Sequence, residues 1–137
     1  MIVIDASVLA NVVADDGKDG DAARAYVRGA GELMAPDLVD VETVSVLRRL
    51  WLAKDLSARR FRAAIEDLEV LPVERYPTLP LMARAYELRA NVTVYDAAYV
   101  ALAEVLACPL VTADERLAKA PGPTCTIQLL RARPHSE

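Results

Sequence analysis

The chain has almost none of the side chains that build soft-metal sites or nucleophile–base pairs. Its one histidine, His135, stands in the C-terminal tail, which argues against a His-ligated metal, a zinc site or a catalytic dyad built on imidazole. Its two cysteines, Cys108 and Cys125, have no metal-ligand spacing and read as small apolar side chains rather than a disulfide. No basic stretch precedes a longer apolar segment, so no secretory leader is expected. The longest apolar run, 97–111, is broken by Glu104 and Pro109 and is too short to span a bilayer. Repeats, linkers and low-complexity segments are also missing. These absences point to a cytoplasmic protein with no membrane partner.

What is present is enough for one core. Hydrophobic residues make up 54% of the 137, which fits a single domain over 1–137, with 131–137 read as a flexible tail. The formal charge of −4 at first argues against nucleic acid, whose phosphates are bound by Lys and Arg. Net charge hides distribution, however. Acids gathered in one pocket leave the 16 Lys and Arg residues free to make its rim positive.

Ile2-Val3-Ile4 reads as a short strand buried on both faces, ending at Asp5-Ala6-Ser7. Ser7 would cap a helix over Val8–Ala14, and a second helix over 21–29 would turn Ala22, Ala25 and Tyr26 inward. Leu33-Met34-Ala35 is a minimal strand. Asp37 then caps a long helix to about Lys54, with Val41, Val44, Leu47 and Trp51 at helical spacing. Ser57 opens a helix facing Phe61, Ala64, Ile65 and Leu68 inward, Val70–Val73 is extended, and Pro77 and Pro80 open a helix to about Arg89. The most apolar helix starts near Tyr95, presents Ala98, Tyr99, Leu102, Val105 and Leu106, and ends at Cys108-Pro109. Leu110-Val111-Thr112 repeats the strand-then-hydroxyl pattern before Asp114 and a short helix, and 124–129 is the last strand. Short strands alternating with helices imply an α/β fold with a parallel sheet.

Four acids lack a cation at helical spacing: Asp5, Glu42, Asp96 and Asp114. Asp5 and Asp114 follow strands, whereas Glu42 and Asp96 sit near helix starts. In a parallel sheet, strand C-termini and the following helix N-termini share one edge, so the four can meet. Gathered carboxylates raise one another's pKa values unless a cation compensates. An oxygen-only donor set selects Mg²⁺ or Mn²⁺, and Mg²⁺ held by few carboxylates usually engages phosphate oxygens as well. Phosphoryl chemistry follows. An aspartyl-phosphate enzyme of the haloacid-dehalogenase kind would want an Asp where Ser7 stands, and a receiver domain would want adjacent acids after the first strand. A non-catalytic module whose acidic pocket receives basic residues of a partner is the remaining alternative.

At these residues the chain resembles the PIN-domain family, and within it the VapC toxins of bacterial type II toxin–antitoxin pairs. The likeness covers almost the whole chain and rests on Ile2–Ser7, on Pro36-Asp37-Leu38 leading to Glu42 and Val46–Arg49, on Tyr95–Tyr99 with Ala101–Ala103, and on Leu110–Asp114 with Leu117. It implies a three-layer PIN-like fold, a short central parallel sheet flanked by about seven helices. It also implies a Mg²⁺- or Mn²⁺-dependent endoribonuclease, hydrolysing RNA with a metal-activated water. Its acids would be Asp5, Glu42, Asp96 and Asp114, supported by the hydroxyls of Ser7 and Thr112. A fifth acid found in some relatives is Arg116 here. The implied partners are RNA, a cognate VapB-type antitoxin whose C-terminal segment covers the site, and a second toxin copy in a homodimer. Arg48, Arg49 and Arg116 are candidates for RNA contact. Trp51, with Leu50 and Leu52, offers more apolar surface than one helix face buries, as core or as interface.

Overall fold

Three apolar residues in a row, with no polar alternation, form a stable strand only if both faces are covered, and that requirement organises the molecule. The computed structural model describes residues 1–131. Its elements in order are β1 (Ile2–Ile4), α1 (Ala6–Ala14), α2 (Lys18–Gly29), β2 (Leu33–Pro36), α3 (Val39–Leu52) and α4 (Ala58–Val70). There follow β3 (Val73–Tyr76), a 3-10 turn (Leu79–Leu81), α5 (Met82–Glu87), α6 (Val94–Leu106), β4 (Leu110–Thr112), α7 (Glu115–Lys119) and β5 (Ile127–Leu129).

The five strands make one parallel sheet in the order β3-β2-β1-β4-β5. β1 is central, with Val3 level with Met34 on one side and Leu110 on the other. The chain moves outward from β1 through β2 to β3, then returns to the other side of β1 for β4 and β5. The order therefore reverses between β1 and β4, where a crevice opens at the carboxyl edge.

Covering the sheet explains the composition of α6. Residues 97–103 of this helix are all buried, and it packs against β1, β2 and β4. A helix apolar on every side is a core helix. On it and around it, Val3, Ile4, Leu9, Leu47 and Leu110 are fully enclosed, each contributing about 1.5–3 kcal/mol by leaving water. Ala107 takes the left-handed conformation (φ 53°) that stops α6, and Cys108-Pro109 leads into β4.

Several local expectations shift. Asp5, not Ser7, caps α1, accepting from the Val8 N–H, because Ser7 has turned to bridge two elements. α2 begins at Lys18 and buries Gly20 and Ala23, while Ala25 is exposed. Asp37 accepts the Thr78 hydroxyl instead of capping α3, whose buried line is Val39, Thr43 and Leu47; Val41 is 76% and Trp51 44% exposed. β3 covers 73–76, not 70–73, since Val70 still belongs to α4, and Val105 lies on the outer face of α6. Ser57 caps α4 and Asp114 caps α7 as the sequence indicates. Arg131 pairs with Glu115, and the rest of the expected tail, His135 included, lies outside the described residues.

Candidate active site

Asp5 ends the central strand and is only 4% exposed. A carboxylate so enclosed needs donors, and three are supplied. Oδ1 accepts from the Ser7 hydroxyl at 2.6 Å and the Val8 N–H at 3.1 Å, and Oδ2 accepts from the Thr112 hydroxyl. The same hydroxyls accept in turn: Ser7 Oγ from the Ala113 N–H and Thr112 Oγ1 from the Asp114 N–H, each at 3.0 Å. Ser7 and Thr112 thus lock the end of β1 to the turn after β4. Burial still dominates and pushes the Asp5 carboxyl up, against the lowering effect of these bonds and with the help of Asp96.

Glu42 stands in the first turn of α3, nearer the helix start than the sequence spacing implied. Its Oε1 accepts the Tyr99 hydroxyl at 2.7 Å. Burial raises its pKa, Tyr99 opposes that, and Asp96 and Asp5 add to it. Asp96 lies in the first turn of α6, where Thr93 caps the helix by accepting the Asp96 N–H at 3.1 Å. Burial raises its carboxyl as well, followed by Thr93 in the lowering and Asp114 in the raising direction. Asp114 is exposed and accepts the Arg116 N–H at 2.9 Å. Each acid therefore sits in the field of another, and none has an ion-pair partner among the described residues.

The four do not form a closed cage. Among the described residues no three His, Cys, Asp or Glu side chains converge tightly enough to enclose an ion. Asp96 and Asp114 line a cavity of about 200 Å³ with Asn91, Thr93, Arg116 and Leu117, whereas Asp5, buried, and Glu42, half-buried, are not part of its wall. Larger hollows of about 480 and 640 Å³ lie away from the acids, so chemistry and not volume marks this site. The donor set fits a hard divalent cation: oxygen only, like charges without a counter-ion, and room for the waters that Mg²⁺ retains when one or two carboxylates hold it.

Arg116 lines the acidic cavity, whereas Arg48 and Arg49 are exposed on α3 and line no described cavity with the acids. Tyr99 was legible only as a member of an apolar stripe. Its signal is chemical: a phenol among alanines, leucines and valines must find a partner for its hydroxyl. Trp51 is at the surface, beside an apolar hollow with Phe61 and Ile65.

The fold is, as a class, an all-parallel α/β domain with four acids, unpaired with any cation among the described residues, near its switch point. Comparison with known proteins narrows the class. The PIN domain family profile matches residues 2–123. Ribonuclease VapC9 of Mycobacterium tuberculosis is 44% identical over 130 residues, covering 95% of this chain and 98% of the relative. Ribonuclease VapC1 of the same species is 42% identical over 130 residues, covering 94% and 97%. Among solved structures, M. tuberculosis VapC20, titled a Sarcin-Ricin loop cleaving toxin, shares the fold with a TM-score of 0.68 at 17% identity, over 86% of this chain and 93% of that one. VapBC2 of Rickettsia felis, solved with a promoter DNA fragment, gives 0.68 at 12% identity, over 96% and 100%. The chain belongs to the PIN-domain family, among its VapC-type members. Among the described residues no helix is long and apolar enough to cross a membrane.

Proposed function

We propose that this protein is a Mg²⁺- or Mn²⁺-dependent endoribonuclease and the toxin of a VapBC-type pair, with Asp5, Glu42, Asp96 and Asp114 as the residues that hold the metal. The observation that carries this reading is the set of four acids near the sheet's switch point, each in the field of at least one other and without an ion-pair partner among the described residues. Family membership among proteins named ribonucleases supports the same reaction.

A divalent ion bound there supplies Lewis acidity to water and to the phosphate. The chain's own groups do the remaining work. Ser7, Thr112 and the Val8 N–H hold Asp5 in one orientation, and Tyr99 does the same for Glu42. The Arg116 guanidinium, at the cavity wall and without an ion-pair partner among the described residues, is available for two parallel bonds to a phosphate. Arg48 and Arg49, exposed farther along α3, are offered as RNA contacts outside the acidic cavity. Among the described residues there is no imidazole, so none of them serves as a dedicated general base of the His type.

The partners proposed are RNA, a VapB-type antitoxin whose C-terminal segment covers the acids, and a second copy of the chain. Structural neighbours solved as toxin–antitoxin complexes support the second of these. The test is direct. Asp5→Asn and Asp96→Asn should abolish RNA cleavage that wild type performs with Mg²⁺ or Mn²⁺ and loses with chelator. Undiminished cleavage by folded variants, or cleavage by wild type in chelator, would overturn the assignment.

A further inference from the structure

One feature that the proposed ribonuclease activity leaves unused is at the opposite edge of the sheet. A cavity of about 480 Å³ opens where α6 gives way to β4, and both cysteines line it, together with Glu104, Ala107, Pro109 and Thr124. Neither thiol is in a disulfide, and both are half-buried. Their placement follows from strand register. Leu110 is level with Ile127 on the neighbouring parallel strand, and two residues back along each chain come Cys108 and Cys125. The Leu110 N–H donates to the Thr126 carbonyl at 2.9 Å, and the Val3 N–H to the Pro109 carbonyl at 2.9 Å. Those bonds hold both approaches to the strands in line. Both cysteines stand in the approaches to these strands, Cys125 at a bend, and both line the one cavity.

Adjacent strands stand about 4.8 Å apart. A disulfide needs Cα atoms about 4.4–6.8 Å apart, and Cys108 and Cys125, each two residues before a paired strand position, line the same cavity and act on one another electrostatically. We propose that Cys108 and Cys125 are a dithiol site that closes to an intrachain disulfide on reaction with a small disulfide oxidant. The reaction is two exchanges. One thiolate attacks the oxidant's sulfur and releases one small thiol; the second protein thiolate then attacks the mixed disulfide and releases the other. Two protein thiols are oxidised, one small disulfide is reduced, and two protons leave the protein thiols and end on the two small thiols.

The bond would join the two ends of the segment that carries Thr112, Asp114 and Arg116, remote from the acids but continuous with them along β4 and α7. Burial raises both thiols above their usual range. Glu104 and the neighbouring Cys108 add to this at Cys125, where Arg84 opposes it, and the N-terminal amine opposes it at Cys108. Exchange is therefore slow near neutrality, and the site resists mild oxidants while remaining thermodynamically poised.

The experiment is a redox titration of the full-length protein with reduced and oxidised glutathione, quenched with a thiol alkylator and read by intact mass and peptide mapping. Run in native buffer and in urea, it separates placement by the fold from the mere presence of two thiols. The expected product loses two hydrogens, takes no alkylator, and maps to Cys108–Cys125. Closure should require an oxidised-to-reduced ratio lower by about tenfold or more in native buffer than in urea. Cys108→Ser and Cys125→Ser should each take up a single glutathione instead. Equal ratios in the two solvents, a lower ratio in urea, two glutathiones on native wild type, or a bond between two molecules would each overturn the proposal. None of these readouts depends on nuclease activity.

Discussion

Removing the Tyr99 hydroxyl is the most informative single-atom change that the site allows. Tyr99 is 1% exposed, so Tyr99→Phe leaves the ring and the core unchanged while deleting the donor that holds Glu42 Oε1 at 2.7 Å. Two effects oppose each other. The hydrogen bond draws a little electron density from the carboxylate, so losing it makes Glu42 a slightly better ligand. Losing it also frees a side chain whose rotamer entropy is about 1.5–2 kcal/mol. A hydrogen bond to a charged group is worth about 1.5–3 kcal/mol, and Glu42 is partly solvated, so water replaces some of it. The net cost to metal binding should be about 1–2 kcal/mol, or roughly 5- to 30-fold in Mn²⁺ affinity. Without its donor the Glu42 carboxyl also rises further, so the loss should widen as pH falls and protons compete with the metal. Calorimetric titration with Mn²⁺ at two pH values measures both effects, and circular dichroism reports the fold. Repeating Tyr99→Phe in a Glu42→Gln background should produce no further loss. Binding by Tyr99→Phe within twofold of wild type, or the same loss without Glu42, would refute the reasoning.

Other consequences follow from the same groups. Asp5, Glu42 and Asp96 all have pKa values raised by folding, chiefly by burial, so the metal-free fold holds protons more tightly than the unfolded chain. Their contribution to stability is present at acid pH and is lost as pH rises through the raised values. Asp96→Asn should therefore melt higher than wild type in chelator near neutrality, with the difference shrinking as pH falls and reversing when Mg²⁺ is added. Glu104 behaves oppositely. Its carboxylate, 13% exposed, accepts from Arg84 at 2.8 and 3.1 Å and from Thr124, which holds its pKa down at about 2. Its contribution is present above the unfolded value and is lost as pH falls toward 2. Urea unfolding of Glu104→Gln near neutrality should show a loss of about 2 kcal/mol that vanishes in strong acid. Gly20→Ala should be among the most damaging surface-distant changes. A Cβ there would lie 1.7 Å from the Asp15 carbonyl oxygen, and a loss of about 3 kcal/mol or more is expected by the same assay.

Much of this arrangement is written locally. Ile2–Ile4 and Leu110–Thr112 are strands in the sequence because unbroken β-branched or aliphatic triplets ending at Asp or Thr have little else to become. Ser57 and Asp114 cap their helices because nothing else competes for their oxygens. The misreadings occur where a distant partner wins. Ser7 could cap a helix by itself, but the Ala113 N–H and Asp5 take its hydroxyl, and Asp5 becomes the cap. Asp37 is drawn to Thr78 in the same way. Helical periodicity offered α3 the line Val41, Val44, Leu47 and Trp51, and only packing against α1 and α4 decides that Val39, Thr43 and Leu47 turn inward while Val41 and Trp51 do not. The acids were visible as residues lacking local cations, but Tyr99 was hidden in a stripe whose spacing served burial and binding alike.

The charge objection to an RNA partner is answered by where the ions sit. Of the cluster around 48–62, Arg60 is committed to Asp16 and Arg62 to Glu66, while Arg48 and Arg49 have no ion-pair partner among the described residues. Arg116 is likewise unpaired, and it stands at the mouth of the acidic crevice. Four of the 20 acidic residues thus gather near the switch point, where a divalent cation would offset half of their full charge. Of the guanidinium groups without an ion pair among the described residues, Arg116 stands beside that place. Phosphates approaching the crevice would meet Arg116 first and acids only through the metal, which predicts that chelation weakens RNA binding as well as cleavage. Fluorescence anisotropy with a short RNA and a cleavage-deficient Asp114→Asn variant measures this directly, and binding that tightens in chelator would refute it.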